Sequence, residues 1–165
     1  MNKKGFTLME ALAVVLIVAL LVSLAMPIYR SIRYEVRHSQ AEQAAVKMAE
    51  ALRSFYVASK GIAIIGSFNP STADGVSKMT STACPQTLFA TGLPPRIRGE
   101  ETGSIEYLFG CKYLTYKDFE NLPYTFTANG RNANLVTVVG GDQAGDKYKN
   151  KTFYITRNMK PTQAS

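Results

Sequence analysis

Gly5-Phe-Thr-Leu-Met-Glu10 runs directly into Ala11-Leu-Ala-Val-Val-Leu-Ile-Val-Ala-Leu-Leu-Val-Ser-Leu-Ala-Met-Pro-Ile-Tyr29, and this stretch decides the architecture. The nineteen residues between Glu10 and Arg30 carry no charge. A helix needs about 20 mainly apolar residues to cross a bilayer core, a length reached once Phe6–Met9 are included. The block is apolar on every side, whereas a surface helix of a soluble protein keeps one polar face. Lys3 and Lys4 precede it as a basic, membrane-targeting flank. The chain therefore divides into an apolar anchor and a more polar head.

Beyond the anchor the pattern narrows to one stripe. Ala41, Ala45, Met48, Leu52 and Phe55 recur at helical steps, and Glu42, Gln43, Lys47, Glu50 and Arg53 occupy the other side. Pro27 is the one strong breaker between Phe6 and Lys60. The expectation is a single helix over those residues, roughly 80 Å long at 1.5 Å per residue, with a kink at Pro27 and a stop at Gly61. Residues 61 to about 103 lack clean periodicity. Ser67-Phe-Asn-Pro-Ser-Thr-Ala-Asp-Gly75 and Gly92-Leu-Pro-Pro95 read as turns. Five β-prone runs follow: Ser104–Phe109, Lys112–Tyr116, Tyr124–Ala128, Leu135–Val139 and Thr152–Thr156. Asn129-Gly130 suits a hairpin turn. An antiparallel sheet of about four strands is the simplest arrangement, which makes the fold class α+β.

Charge and side-chain inventory exclude several kinds of chemistry. The 165 residues carry 19 basic and 12 acidic side chains, a net +7. Without Lys3 and Lys4 the surplus is ordinary for an exposed surface, so nucleic acid is not expected as a partner. Lys147, Lys149, Lys151, Arg157 and Lys160 cluster near the end, but without aromatic residues interleaved on a defined face. A single histidine, His38, and two cysteines outside any C-x-x-C argue against zinc and against a nucleophile–base triad. His38 reads as a solvated surface residue. Neither Gly-rich phosphate-binding pattern occurs, and no cofactor is expected. Gly140-Gly-Asp-Gln-Ala-Gly-Asp146 places Asp142 and Asp146 in one loop without the spacing of a calcium-binding EF-hand. Its default reading is a surface loop. Asn150-Lys-Thr152 fits the short glycosylation acceptor pattern.

Lys3-Lys4-Gly5-Phe6-Thr7-Leu8-Met9-Glu10 and the apolar run after it resemble the processing motif of type IV prepilins, over residues 3 to 30. In that family a membrane-embedded aspartic peptidase cuts after the glycine and N-methylates the new terminus. The resemblance implies that residues 1–5 form a leader ending at Gly5 and that Phe6 becomes the methylated terminus. It further implies a membrane and filament-core helix over 6–29 and a periplasmic or extracellular head over 30–165, with the pilin fold. Glu10 then has an assembly role. A carboxylate drawn into a bilayer centre is unfavourable by about 2.5–3.5 kcal/mol, and less so near the interface. Cleavage creates an amine at Phe6, and axial stacking of helices lets the amine of one subunit meet Glu10 of the next. Pro27 matches a proline of many such subunits, where the helix loosens on assembly; a passive kink is the plainer reading. The implied partners are other subunits of a homopolymer, the prepilin peptidase and methyltransferase, the inner membrane and the pilus assembly machinery. An exported head would favour a Cys84–Cys111 disulfide over two buried thiols.

Rival readings keep a place. Ser23-Leu24-Ala25 fits a signal-peptide cleavage site, against which stand the charge at Glu10 and the uninterrupted apolar run. A permanent single-pass anchor accounts for the length but not for Gly5 and Glu10. Arg30, Arg33 and Arg37 flank the far end of the apolar run as the lysines flank the near one, so charge alone does not orient it. Among functions, the expectation is a structural filament subunit rather than an enzyme, its output being adhesion, twitching motility or DNA uptake. The alternatives are a pseudopilin of a type II secretion system, towards which the Asp142/Asp146 loop leans, and a membrane-tethered periplasmic enzyme.

Overall fold

Helix α1, Leu8–Ala58, takes in both the apolar run and the amphipathic stretch, with Pro27 inside it. The computed structural model describes residues 8–89 and 102–163. The chain separates into two units, Met1–Val36 and Arg37–Ser165. Helix α1 ends in a paired cap: the Gly61 amide donates to the Tyr56 carbonyl at 2.9 Å and the Lys60 amide to that of Val57 at 3.2 Å. These two bonds satisfy carbonyls that the last turn leaves open. The left-handed position falls on Lys60, at φ 57°, one residue before the glycine expected to stop the helix.

Among the described residues, six strands form the sheet of the second unit: β1 Ala63–Phe68, β2 Thr102–Ser104, β3 Tyr124–Asn129, β4 Asn134–Gly140, β5 Thr152–Thr156 and β6 Pro161–Gln163. Their order is β2-β1-β3-β4-β5-β6, and every pairing is antiparallel except β1 with β2. The α+β class holds, with two strands more than expected. Three of the predicted runs became strands β3, β4 and β5. Strand β3 alternates buried and half-buried residues along its length. Strand β4 breaks that alternation at Leu135, because Asn134 faces Thr156 while Val136 already faces Ile155. One extra residue is accommodated as a bulge, and Leu135 and Val136 are both buried.

Two predicted strands are corrected. Within Ser104–Phe109 only Ser104 lies in a strand, and Glu106–Gly110 is a short helix, α3. The buried residues there are Ile105, Leu108 and Phe109, a one-, four-, five-position spacing that suits a helical turn rather than a strand. Lys112–Tyr116 is not a strand because the amides of Tyr113 and Leu114 both turn back to the Leu108 carbonyl, at 2.8 and 3.0 Å. A second short helix, α2 Ala73–Met79, lies in the stretch read as turns; its N-cap is Thr72, whose hydroxyl accepts from the Gly75 amide at 3.1 Å. Of the other predicted turn, Gly92–Pro95, the residues lie outside those described.

The expected stripe of α1 supplies one wall of the core. Ala41, Ala45, Met48, Leu52 and Phe55 are buried, joined by Ala44, Ala49 and Ala51. These residues share one buried cluster with aromatic rings from β1, β3, α3 and the turn that ends at Phe119. Phe68, Phe109, Phe119 and Phe126 meet at centroid distances of 5.1–5.8 Å, mostly edge to face. Phe55 adds edge contacts to Phe89 and Tyr113. Such pairs contribute about 0.5–1.5 kcal/mol each beyond the area they bury.

Candidate functional site

The first unit carries the chemistry singled out by the sequence. Gly5 and Phe6 lie outside the described residues. Glu10 stands in the first turn of α1 and is exposed. A carboxylate there also interacts favourably with the positive end of the helix dipole. From Leu8 to Ile32 every large apolar side chain is exposed, with Val15 at 65%, Leu16 at 62% and Leu24 at 68%. The most apolar 18-residue window of α1 has a mean hydropathy of 2.9 and nothing in it is buried. Water is a poor environment for such a surface at about 25 cal/mol per Å². Hydrocarbon or the helices of other copies would cover it.

Pro27 sits within α1, where it lacks the amide that would have bonded the Ser23 carbonyl. Ser23 itself turns its hydroxyl to the Leu20 carbonyl at 2.8 Å. Ser23 and Pro27 therefore place two departures from regular side-chain and backbone bonding within five residues. The rival cleavage site Ser23-Leu24-Ala25 lies in the middle of this continuous helix.

In the second unit, Cys84 and Cys111 are joined, with their Cα atoms 4.9 Å apart. Cys111 closes α3 as its C-cap, and Cys84 precedes a 3-10 turn at Gln86–Phe89. The two backbones meet closely beside the bond. A Cβ on Gly110 would come to 2.2 Å from the Ala83 carbonyl oxygen, so only glycine fits next to Cys111. Lys47 of α1 reaches Asp118 at 2.6 Å, and Asp118 also accepts from the Thr115 hydroxyl and backbone in a capping box. Burial would raise the Asp118 carboxyl, but bonds from Lys47 and Thr115 outweigh it and hold it below its ordinary value.

His38 is a correction to the sequence reading. It is not a solvated residue; its side chain is only 14% exposed. The imidazole stacks on Tyr148 with centroids 4.0 Å apart and meets the edge of Phe153 at 5.4 Å. Nδ1 lies 3.3 Å from the Tyr124 hydroxyl and Nε2 lies 3.5 Å from Glu42. A neutral ring with its proton on Nε2 satisfies both contacts, donating to Glu42 and accepting from Tyr124. Burial pushes the imidazole below its ordinary value, Glu42 opposes that shift and Lys147 adds to it. Tyr124 is pushed up to about 12 by its own burial, then by Tyr148 and Glu42, with Arg37 pulling the other way. Apart from Glu42, one helical turn away, the cage is built by residues distant in the chain, and the local sequence does not mark it.

The 140–146 loop is braced from within and from its flank. The Gly140 amide donates to the Lys151 carbonyl, and the Asn150 amide donates back to the Gly140 carbonyl. Asp142 pairs with Lys149 at 2.9 Å, and that cation holds its carboxyl below the ordinary range. Among the described residues no group of three or more His, Cys, Asp or Glu side chains converges as metal ligands would.

Comparison with known proteins bears on the first unit. Residues 1–26 match the family model of the prokaryotic N-terminal methylation motif, the type IV prepilin signature. No curated protein and no solved structure matches the chain.

Proposed function

We propose, from the type IV prepilin signature as premise, that this chain is a structural filament subunit made as a membrane-anchored precursor. The methylation motif by itself indicates a pilin-like or pseudopilin protein. One observation carries the finer reading: the motif is continuous with a helical segment whose apolar side chains are exposed all round. A surface of this kind serves twice, first in the lipid of the inner membrane and then among the stacked helices of a filament core. Between these states the prepilin peptidase removes residues 1–5, Phe6 is methylated, and the assembly machinery draws the subunit into a homopolymer.

In this reading Glu10 sets the register. Its carboxylate meets the Phe6 amine of a neighbouring copy in a low-dielectric core, where leaving either charge single is costly. Pro27 supplies a stretch of helix able to loosen on assembly, since one backbone bond is already missing. The Cys84–Cys111 bond supports a head that matures outside the reducing cytoplasm. The structural role rather than an enzymatic one is supported by the same motif. The alternative of a type II secretion pseudopilin gains little from the 140–146 loop, where Asp142 is engaged by Lys149.

N-terminal mass spectrometry of envelope and sheared-fibre fractions tests the proposal. The expected mature terminus is N-methylated Phe6, found in both fractions. A terminus at Met26 would establish Ser23-Leu24-Ala25 as the processing site and end the filament reading.

A further inference from the structure

A groove of about 730 Å³ opens on the second unit, where the last turns of α1 face the β3–β4 and β5–β6 connections. Three arginines from three different elements stand around it: Arg53 on α1, Arg131 after β3 and Arg157 after β5. All three are exposed. Among the described residues no acidic side chain lines the groove. Half-buried Tyr56 forms part of its wall, and the buried side chains of Leu52 and Leu135 lie along its floor. The arginines are 26 to 104 positions apart in the sequence, so only folding makes them one feature.

We infer that this groove binds single-stranded nucleic acid. Guanidinium groups engage phosphate oxygens bidentately and remain charged at any physiological pH. An aromatic wall beside them supplies a stacking face for a base, and every base has one. The apolar floor lets the unstacked edge of a base leave water. An acidic polypeptide would satisfy the arginines but has no flat ring at each charge to occupy the Tyr56 wall. A duplex hides its bases and would use the arginines alone. This inference goes beyond the filament reading and does not depend on it. The basic residues clustered near the chain end lack an aromatic partner in the sequence, and the groove draws only Arg157 from that cluster.

The test uses the full chain in neutral detergent micelles and a fluorescein-labelled twelve-nucleotide oligo-dT, with fluorescence anisotropy read against salt. Three phosphate contacts give a slope of log affinity against log salt of about −2, from about −0.7 per contact on a single strand. Arg53→Gln and Arg157→Gln should each weaken the slope by about 0.7, and the triple variant with Arg131→Gln should abolish binding. Tyr56→Leu should weaken binding about tenfold while leaving the slope unchanged. Lys147→Gln with Lys151→Gln should change nothing. All these positions are at least partly exposed, and an unchanged thermal melt establishes that each variant is folded. Full retention of binding by the triple variant, or no effect of Tyr56→Leu, overturns the inference. So does equal displacement of the oligonucleotide by polyglutamate of matched charge, or by phosphatidylglycerol vesicles, because either would reduce the groove to bare positive charge. No fibre is needed for the assay, so its failure leaves the filament proposal where it stood.

Discussion

Two stretches of one helix are built from similar apolar residues and have opposite surroundings. In the first unit Val15, Leu16 and Leu24 are more than 60% exposed, while in the second Met48 and Phe55 are fully buried. Local structure does not distinguish them, since both are α-helical within α1. What differs is the pattern. The first stretch is apolar on all sides, more than one protein surface could cover, and the second confines its apolar residues to a stripe matched to one sheet. A helix of the first kind must find its apolar medium outside its own chain. The second finds it at home. Stability of the head should therefore depend on the second stretch and be indifferent to the first, and assembly should show the reverse.

The largest effect is expected at Glu10. Glu10→Ala removes an unfavourable charge from the apolar helix, so membrane insertion and leader removal should persist. In the proposed filament the Phe6 amine of a neighbouring copy would lose its partner in a dry core, so sheared fibres should fall below a tenth of the native yield. Quantifying membrane-bound and fibre-borne subunit in cells lacking the native copy decides it. Normal fibre yield would mean that the first stretch needs no charge pairing and that its role ends at anchoring.

Within the head, Phe126→Ala should cost about 3–5 kcal/mol, as for other buried aromatics. Phe126 is fully buried and contacts both Phe68 and Phe119. Leu16→Ala, an equally apolar truncation, should leave the denaturant midpoint of the head within about 0.5 kcal/mol of native. Equal losses from both would erase the distinction between the two stretches. Replacing Cys84 and Cys111 together by serine should cost about 3–4 kcal/mol in the chain-entropy account, for a loop with a sequence separation of 27. Chemical denaturation with and without reductant measures it, and an unchanged midpoint would assign the stability to packing alone.

The smallest expected effect sharpens the comparison at the start of the second unit. Burial holds the half-buried His38 imidazole below its ordinary value. The folded head thus binds a proton less readily than the unfolded chain does. The stability this contributes is complete above pH 6.5 and is lost as pH falls from there through the lowered folded value. Glu42 faces the ring as the group favouring a proton, and Lys147 faces it as the group opposing one. A melting temperature that declines on acidification from pH 7 to 5 in the native chain, and declines less in His38→Phe, is the expected result. Identical profiles would show that the ring is already protonated or indifferent to its cage.

How much of this was legible in advance depended on the range of the interaction concerned. The helix, its apolar run and its buried stripe were readable because helical periodicity repeats within a few residues. The three strands β3, β4 and β5 were readable for the same reason, each bounded by turn residues. Strand β1 escaped because its burial does not alternate, running from two buried residues to exposed Ile65 and then to buried Phe68. Strand β6 escaped because Pro161–Gln163 is exposed throughout and exists as a strand only through its pairing with β5. Stretches of this kind carry no intrinsic preference strong enough to declare themselves.

By itself the sequence determined the N-terminal methylation motif and the apolar segment that follows it, because each is written in contiguous residues. It also left Cys84 and Cys111 as the one possible intramolecular disulfide pair. Tertiary structure alone decided that α3 is a helix, that Lys60 rather than Gly61 takes the left-handed cap position, and that His38 is enclosed by Tyr148, Phe153 and Tyr124. It alone brought Arg53, Arg131 and Arg157 around one groove. Burial and charge convergence are sums over residues distant in the chain, and only the folded topology determines which of them meet.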